Sequence, residues 1–254
     1  MLVRIRRLAT KMTGKFGRSG VAIALALGLL VTAVAVTAHA QSDKPTIFVY
    51  LPTDIRPNAF QKMLEDSAPD VAFTVFGRIR DFQKNLKNTP PDAILAAHPV
   101  IEDMSLPIGM QSKSGGAVDE QYVLVSVGQE VDLGKAELVI GTVDLLGRKK
   151  MGGFVNKLIG RADGTKLKRV TKREDLLSLL QFKVADAILL RESSLESFKG
   201  KSKLDLKVKR VEGARVGLPA VGFLPDARTK EVKAAVGKFT GELNAIIGVT
   251  GWGG

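Results

Sequence analysis

The sequence predicts an α/β protein of two lobes, each a mostly parallel sheet flanked by helices. Three observations carry that expectation. Short β-rich apolar runs alternate with helical stripes from residue 46 onward. The alternation stops near residue 127 and restarts near 136 as a second, independent set. The tail beyond residue 211 holds an apolar run and a helical stripe that need an existing lobe to pack on.

Each element has a local reason. Thr46–Leu51 is a β-rich run stopped by Pro52, and Pro57 opens a helix with Phe60, Met63 and Leu64 on one face. Val71–Phe76 is a second strand, Ile79, Phe82 and Leu86 stripe the next helix, and Asp92–Ala97 is a third strand closed by His98-Pro99. This β-α-β-α-β order makes a parallel sheet with right-handed crossovers. A polar stretch, Gln111–Asp119, precedes the strand Gln121–Val127. The second set begins with a strand over Ala136–Val143 and a helix marked by Met151, Phe154, Val155, Leu158 and Ile159. Leu167–Val170 is a strand, and Thr171-Lys172-Arg173-Glu174 reads as a capping box ahead of Leu176, Leu177, Leu179 and Leu180. Ala185–Leu190 then repeats the pattern of Asp92–Ala96. Leu206–Val211 alternates as a strand with one wet face, Val216–Leu224 is an apolar run broken by Gly and Pro, and Val232, Val236, Phe239, Leu243 and Ile247 stripe one last helix. The economical topology returns that helix to the first lobe, giving 44–127 plus 217–254 as lobe 1 and 133–212 as lobe 2.

Composition narrows the setting. The chain has 254 residues, 45% apolar and 25% charged, which excludes disorder and collagen as global descriptions. Net charge is +12, but Arg4, Arg6, Arg7, Lys11, Lys15 and Arg18 precede every acidic residue. Residues 41–254 therefore carry only +6. The cations lead into the uncharged apolar run 20–37 and then Ala38-His39-Ala40, so residues 1–40 read as a signal peptide cleaved before Gln41. The competing reading is an uncleaved anchor, since about 18 apolar residues just span a bilayer. Either way the body is expected in the periplasm of a Gram-negative type of cell. With no cysteine there is no disulfide, thiolate site or lipidated cysteine, which argues against a lipoprotein.

The order of elements, with "DAILAAHP", "EQYVLVSVG", "REDLLSLLQFKVADAILL" and "VGLPAVGFLPD", resembles the type II periplasmic solute-binding superfamily, of the ABC-transporter, phosphate- or phosphonate-type kind. The resemblance covers residues 44–254 and is one of order and spacing. It implies two lobes joined by two crossing segments and closing on a ligand, with Asp186 of the "ADAIL" element near the hinge and cleft.

Ligands of open α/β sheets bind beyond the carboxyl ends of the strands. That singles out Thr53, Asp54 and Arg56 after the first strand, His98 after the third, Thr142 and Asp144 opening the second lobe, and Asp186 on the hinge side. Helix capping competes for Thr53, Asp54, Thr142 and Asp144, a solvated surface for Arg56, and strand termination for His98. No catalytic motif, phosphate loop or metal-ligand spacing is present, so no enzyme, cofactor or metal is expected. The basic clusters Lys166–Arg173 and Lys199–Arg210 read better as solvated faces than as a polyanion stripe, and nucleic acid is not an expected partner. Two functions remain open. One is a monomeric binding protein that captures a small solute, an anion judging by Arg56 and the helix amino termini or an amine or amino acid judging by Asp144, and serves an ABC permease or a periplasmic signalling protein. The other is an accessory or sensor protein that uses the same fold to bind a protein partner or the envelope, touching membrane only through a retained signal.

Overall fold

In a computed structural model, which describes residues 44–254, the first half of the chain runs β1 (Thr46–Tyr50), α1 (Pro57–Ser67), β2 (Ala72–Val75), α2 (Ile79–Asn88), β3 (Ala93–Ala96). The expected signal peptide and its cleavage point at Gln41 lie outside the described residues. β1 sits between β2 and β3, parallel to both. Its Phe48 and Tyr50 pack into one apolar layer and its Ile47 and Val49 into another. A continuous apolar run is what a strand covered on both faces requires.

The chain continues through α3 (His98–Asp103), β4 (Ile108–Lys113) and β5 (Asp119–Val127). A second half follows: β6 (Val139–Val143), α4 (Met151–Leu158), β7 (Lys166–Val170), α5 (Asp175–Gln181), β8 (Ala187–Arg191). Here β6 sits between β7 and β8, parallel to both. The two halves thus share one strand arrangement. A 3-10 turn (Glu192–Ser194) leads to α6 (Leu195–Lys201), β9 (Leu206–Gly217), β10 (Ala220–Phe223), α7 (Thr229–Gly237), α8 (Gly241–Ile247) and β11 (Gly251–Gly253).

The sheets exchange strands. The first has the order β11-β4-β10-β3-β1-β2 and the second β7-β6-β8-β5-β9. β5 crosses from the first half to lie antiparallel to β8, and β10 returns to lie antiparallel to β3. The crossings run side by side, with Asp119 opposite Gly217. The expected lobe boundary is corrected here: Asp119–Val127 belongs to the second sheet. Val123, Leu124 and Val125 are fully buried between β8 and β9, so this strand cannot be a rim element of the first lobe.

The third strand stops before His98-Pro99 as expected, and that pair also opens α3, since Pro is tolerated in a first helical turn. Local expectations fail in three other places. The polar stretch beginning at Gln111 is partly strand β4: the buried Ser112 hydroxyl donates to the Pro219 carbonyl at 2.5 Å, and the Gln111 amide donates to Leu218 O at 3.0 Å. The capping box does not form, and α5 starts one residue after Glu174, whose carboxylate pairs with Lys172. The last helical stripe is two helices, broken where Thr240 caps α8. All five stripe residues still pack on the first sheet with Ile47 and Val49. Among the described residues no helix is long and apolar enough to cross a membrane.

Candidate functional site between the lobes

The carboxyl ends of the two parallel strand trios meet across the molecule. Tyr50, last in β1, donates its hydroxyl to the Asp144 carbonyl just past β6, and burial pushes its ionisation up. Lys150 pairs with Asp103 at 2.7 Å, Arg173 reaches Asp54 at 3.4 Å, and Arg191 donates to Gly248 O at 3.3 Å. The apolar layer holding Phe48, Tyr50, Phe82 and Ile94 is continuous with the one holding Leu138, Ile140, Leu145 and Met151. The lobes therefore share a dry seam as well as polar contacts.

Close to the crossing strands this leaves almost no space. Leu51, Pro52, Tyr122, Leu145, Arg191 and Glu120 line two hollows of about 30 Å³ each, roughly one water's share of liquid volume. Arg191 is ion-paired with Glu120, both largely buried, and the Ser193 hydroxyl donates to the same carboxylate at 2.7 Å. Burial pushes the Tyr122 phenol up to about 12, so it is a neutral wall. Farther out the lobes part around a cavity of about 390 Å³. Lobe 2 lines it with Arg173, Arg191, Ser194, Ser197 and Lys201 over an apolar floor of Leu177 and Phe198; lobe 1 adds Asp54, Ala245 and Gly248. Glu174 lies at the edge and is turned to Lys172 at 3.2 Å. The Arg173 Nε is buried without a hydrogen-bond partner. The cationic wall thus comes from one lobe and the facing carboxylate from the other.

Solved structures share this architecture. XAC2383 from Xanthomonas citri bound to ATP matches with a TM-score of 0.58 at 11% identity, over 82% of this chain and 90% of that one. AbpA, an amino-acid ABC transporter substrate-binding protein from Streptococcus pneumoniae bound to L-arginine, matches at 0.52 and 14%, over 80% and 93%. The substrate-binding protein of another amino-acid ABC transporter matches at 0.50 and 14%, over 80% and 91%. The chain has the fold of the type II periplasmic solute-binding proteins. No family model matches its sequence, and no curated protein does.

Within this solute-binding fold the seven sequence-predicted residues scatter. Only Asp54 lines the outer cavity between the lobes. Thr53 bonds back to Ile55 O at 3.2 Å, and Arg56 is exposed just before α1, away from the cavity lining. The His98 Nε2 meets Glu102 at 3.3 Å while its ring packs on Gly217, where a Cβ would sit 2.4 Å from the ring. Thr142 is buried in β6 and lines one small hollow, its hydroxyl on Val143 O. The Asp144 carboxylate accepts from Gly147 N at 2.8 Å and from Arg169 at 3.2 Å, so it braces its own loop. Asp186 is at the opposite end of its sheet, bound to Val139 N and Lys135, and its hinge-side placement is corrected. Among the described residues no group of three or more metal-capable side chains gathers. In the sequence Arg173 and Lys201 fall in clusters that read as solvated faces, and Arg191, Ser194 and Ser197 belong to no motif. The signal that finds them is position: Arg191 ends the third strand of its half and the serines follow it, as Ala97-His98 follows the third strand of the other.

Proposed function

We propose that this protein is exported to the periplasm, where its cleaved, monomeric body captures a small anionic solute between the two lobes for uptake through an ABC permease or for sensing. The observation that carries the reading is the cavity of about 390 Å³ lined by Arg173, Arg191 and Lys201 of lobe 2 against Asp54 of lobe 1. Its size is at the lower end of small-molecule sites. Contacts from both lobes are what allow a ligand to favour the closed state. Neighbours bound to ATP and to L-arginine support a ligand that carries an anionic group. The hollows beside the crossing strands, about 30 Å³ each, are too small for a solute, which supports the outer cavity as its seat.

A thermal-shift screen of anions and amino acids tests this, because a ligand that binds only the folded state raises the melting temperature. Arg173→Ala should abolish the shift given by the best ligand, while Arg56→Ala should keep it. If no ligand gives a shift, the protein-partner role takes the place of solute capture.

A further inference from the structure

The donors lining the outer cavity divide into committed and uncommitted groups. Arg191 and Ser193 are held by Glu120, and Arg191 also by the carbonyls of Ile247 and Gly248. The side chains of Ser194, Ser197 and Lys201 have no hydrogen bond or ion pair among the described residues, whereas that of Lys199, on the same helix, is paired with Glu196. Ser194, Ser197 and Lys201 follow i, i+3, i+7 spacing, which puts them on one helical face, and all three line the cavity. Across from them, from a different loop, stands Arg173 with its buried and unpartnered Nε. Three unpartnered side chains and the free Nε of Arg173, whose Nη2 has only the contact to Asp54, converge from two elements on one space with no acceptor of their own lobe to saturate them.

We infer that lobe 2 builds a seat for a phosphoryl group from Arg173, Ser194, Ser197 and Lys201, and that Asp54 of lobe 1 is the resident counter-ion which that group displaces. The inference rests on the ligand-binding reading above and specifies its ligand class. A phosphoryl group presents three oxygens in a tetrahedral spread and can satisfy donors arriving from two elements; a carboxylate presents two in one plane. Its charge of about −1.5 to −2 balances Arg173 and Lys201 once Asp54 withdraws. The Arg173–Asp54 contact suits displacement: at 3.4 Å, with Asp54 exposed, it is a loose pair of the kind that contributes little by itself. Asp54 thereby becomes a competitor for the seat, the reverse of the ligand-holding role expected from sequence.

Isothermal titration of the mature protein at fixed ionic strength with inorganic phosphate and, separately, acetate tests the assignment. Phosphate should bind about tenfold tighter than acetate or better, Lys201→Gln and Ser197→Ala should each weaken phosphate by up to about tenfold, and Asp54→Asn should tighten it about threefold or more. The three altered side chains are solvent-facing, so these variants keep the core intact. Equal binding of phosphate and acetate, or phosphate binding indifferent to all three substitutions, overturns the phosphoryl seat. An amino acid that binds through Arg173 while phosphate does not also overturns it, yet leaves the solute-binding reading standing. If no solute of the panel binds, both fall.

Discussion

Asp92-Ala93-Ile94-Leu95 and Asp186-Ala187-Ile188-Leu189 place the same device in the two halves of the molecule. In each, an aspartate just ahead of the third strand accepts the backbone N–H of the first strand's opening residue, Thr46 in one and Val139 in the other, at 2.8 Å. A cation from elsewhere completes it: Arg228, with Nε on one carboxylate oxygen at 3.1 Å and Nη2 on the other at 2.9 Å, or Lys135 at 2.7 Å. The halves diverge at the other end of the same strands. After β3 come Ala97, His98 and Pro99, which enter α3; β8 ends on Arg191, which faces the cavity with Ser193 and Ser194, while Glu192 between them pairs with Arg210. The repeated part fastens the strands, and the part that differs lines the cavity.

The largest test of this division removes the returning segment. The first half borrows β10, α7 and α8 to cover Ile47, Val49 and Leu95, whereas the second half is already complete at Gly217. A chain ending at Val211 should lose Val221, Phe223, Val232, Val236 and Leu243 from that layer and aggregate on expression. Recovery of a soluble fragment with one cooperative unfolding transition would show that the first half stands alone.

A smaller effect separates the two aspartates. Asp92 is the more enclosed and has the bidentate arginine, so Asp92→Asn should cost about 1.5–3 kcal/mol at neutral pH. The more exposed Asp186–Lys135 pair should cost less, about 1 kcal/mol, and more of that should vanish in high salt. Burial resists ionisation of Asp92, but the Arg228 guanidinium and the amides of Thr46 and Arg228 hold its carboxyl at about 2. Its folded-state value is below the unfolded one, so this stabilisation is complete above about pH 4 and drains away as the pH falls towards 2. Burial likewise opposes a lowered value at Asp186, where Lys135 and the Val139 amide prevail. Denaturant unfolding at pH 7 and at pH 3 should show wild type losing its advantage over Asp92→Asn in acid. A constant gap between the two proteins would remove Asp92 as the source of that acid sensitivity.

The sequence made the repeated device visible and hid the divergent one. Strand and helix periodicity located both β-α-β-α-β halves, because burial on two faces forces apolar runs such as Ile47–Leu51 and Ala187–Leu190. Exchange of β5 and β10 between the sheets was only half legible: Gln121–Val127 reads as a strand, but nothing in its own residues says which sheet it joins. Site residues were harder still. Thr53, Asp144 and Asp186 look like ligand groups by type, and each is engaged in bracing its own backbone or strand end. Arg173 and Lys201 look like surface charges, and they come to line a cavity only because the other lobe supplies its far wall.

The smallest expected effect concerns two threonines in corresponding roles. Thr171 precedes α5 with a glutamate three residues on, the pattern of a reciprocal cap, yet α5 begins at Asp175 and no side chain caps it. The turn from Thr171 instead carries Arg173 to Asp54 across the lobes. Thr240, in the returning segment, has a weaker sequence signal and does cap: its hydroxyl accepts from Leu243 N at 3.4 Å, and the helix ends on Gly248 in the left-handed region at φ 85°. Left-handed backbone at that position suits glycine, so α8 is defined at both ends. Thr240→Ala should therefore cost about 1 kcal/mol, whereas Thr171→Ala should stay within about 0.5 kcal/mol of wild type. Equal losses in denaturant unfolding would mean that the Thr171–Glu174 box does form in solution, which would swing Arg173 out of the cavity. The same measurement repeated in phosphate sharpens the point, since a ligand that draws Arg173 inward should make any cost of Thr171→Ala smaller still.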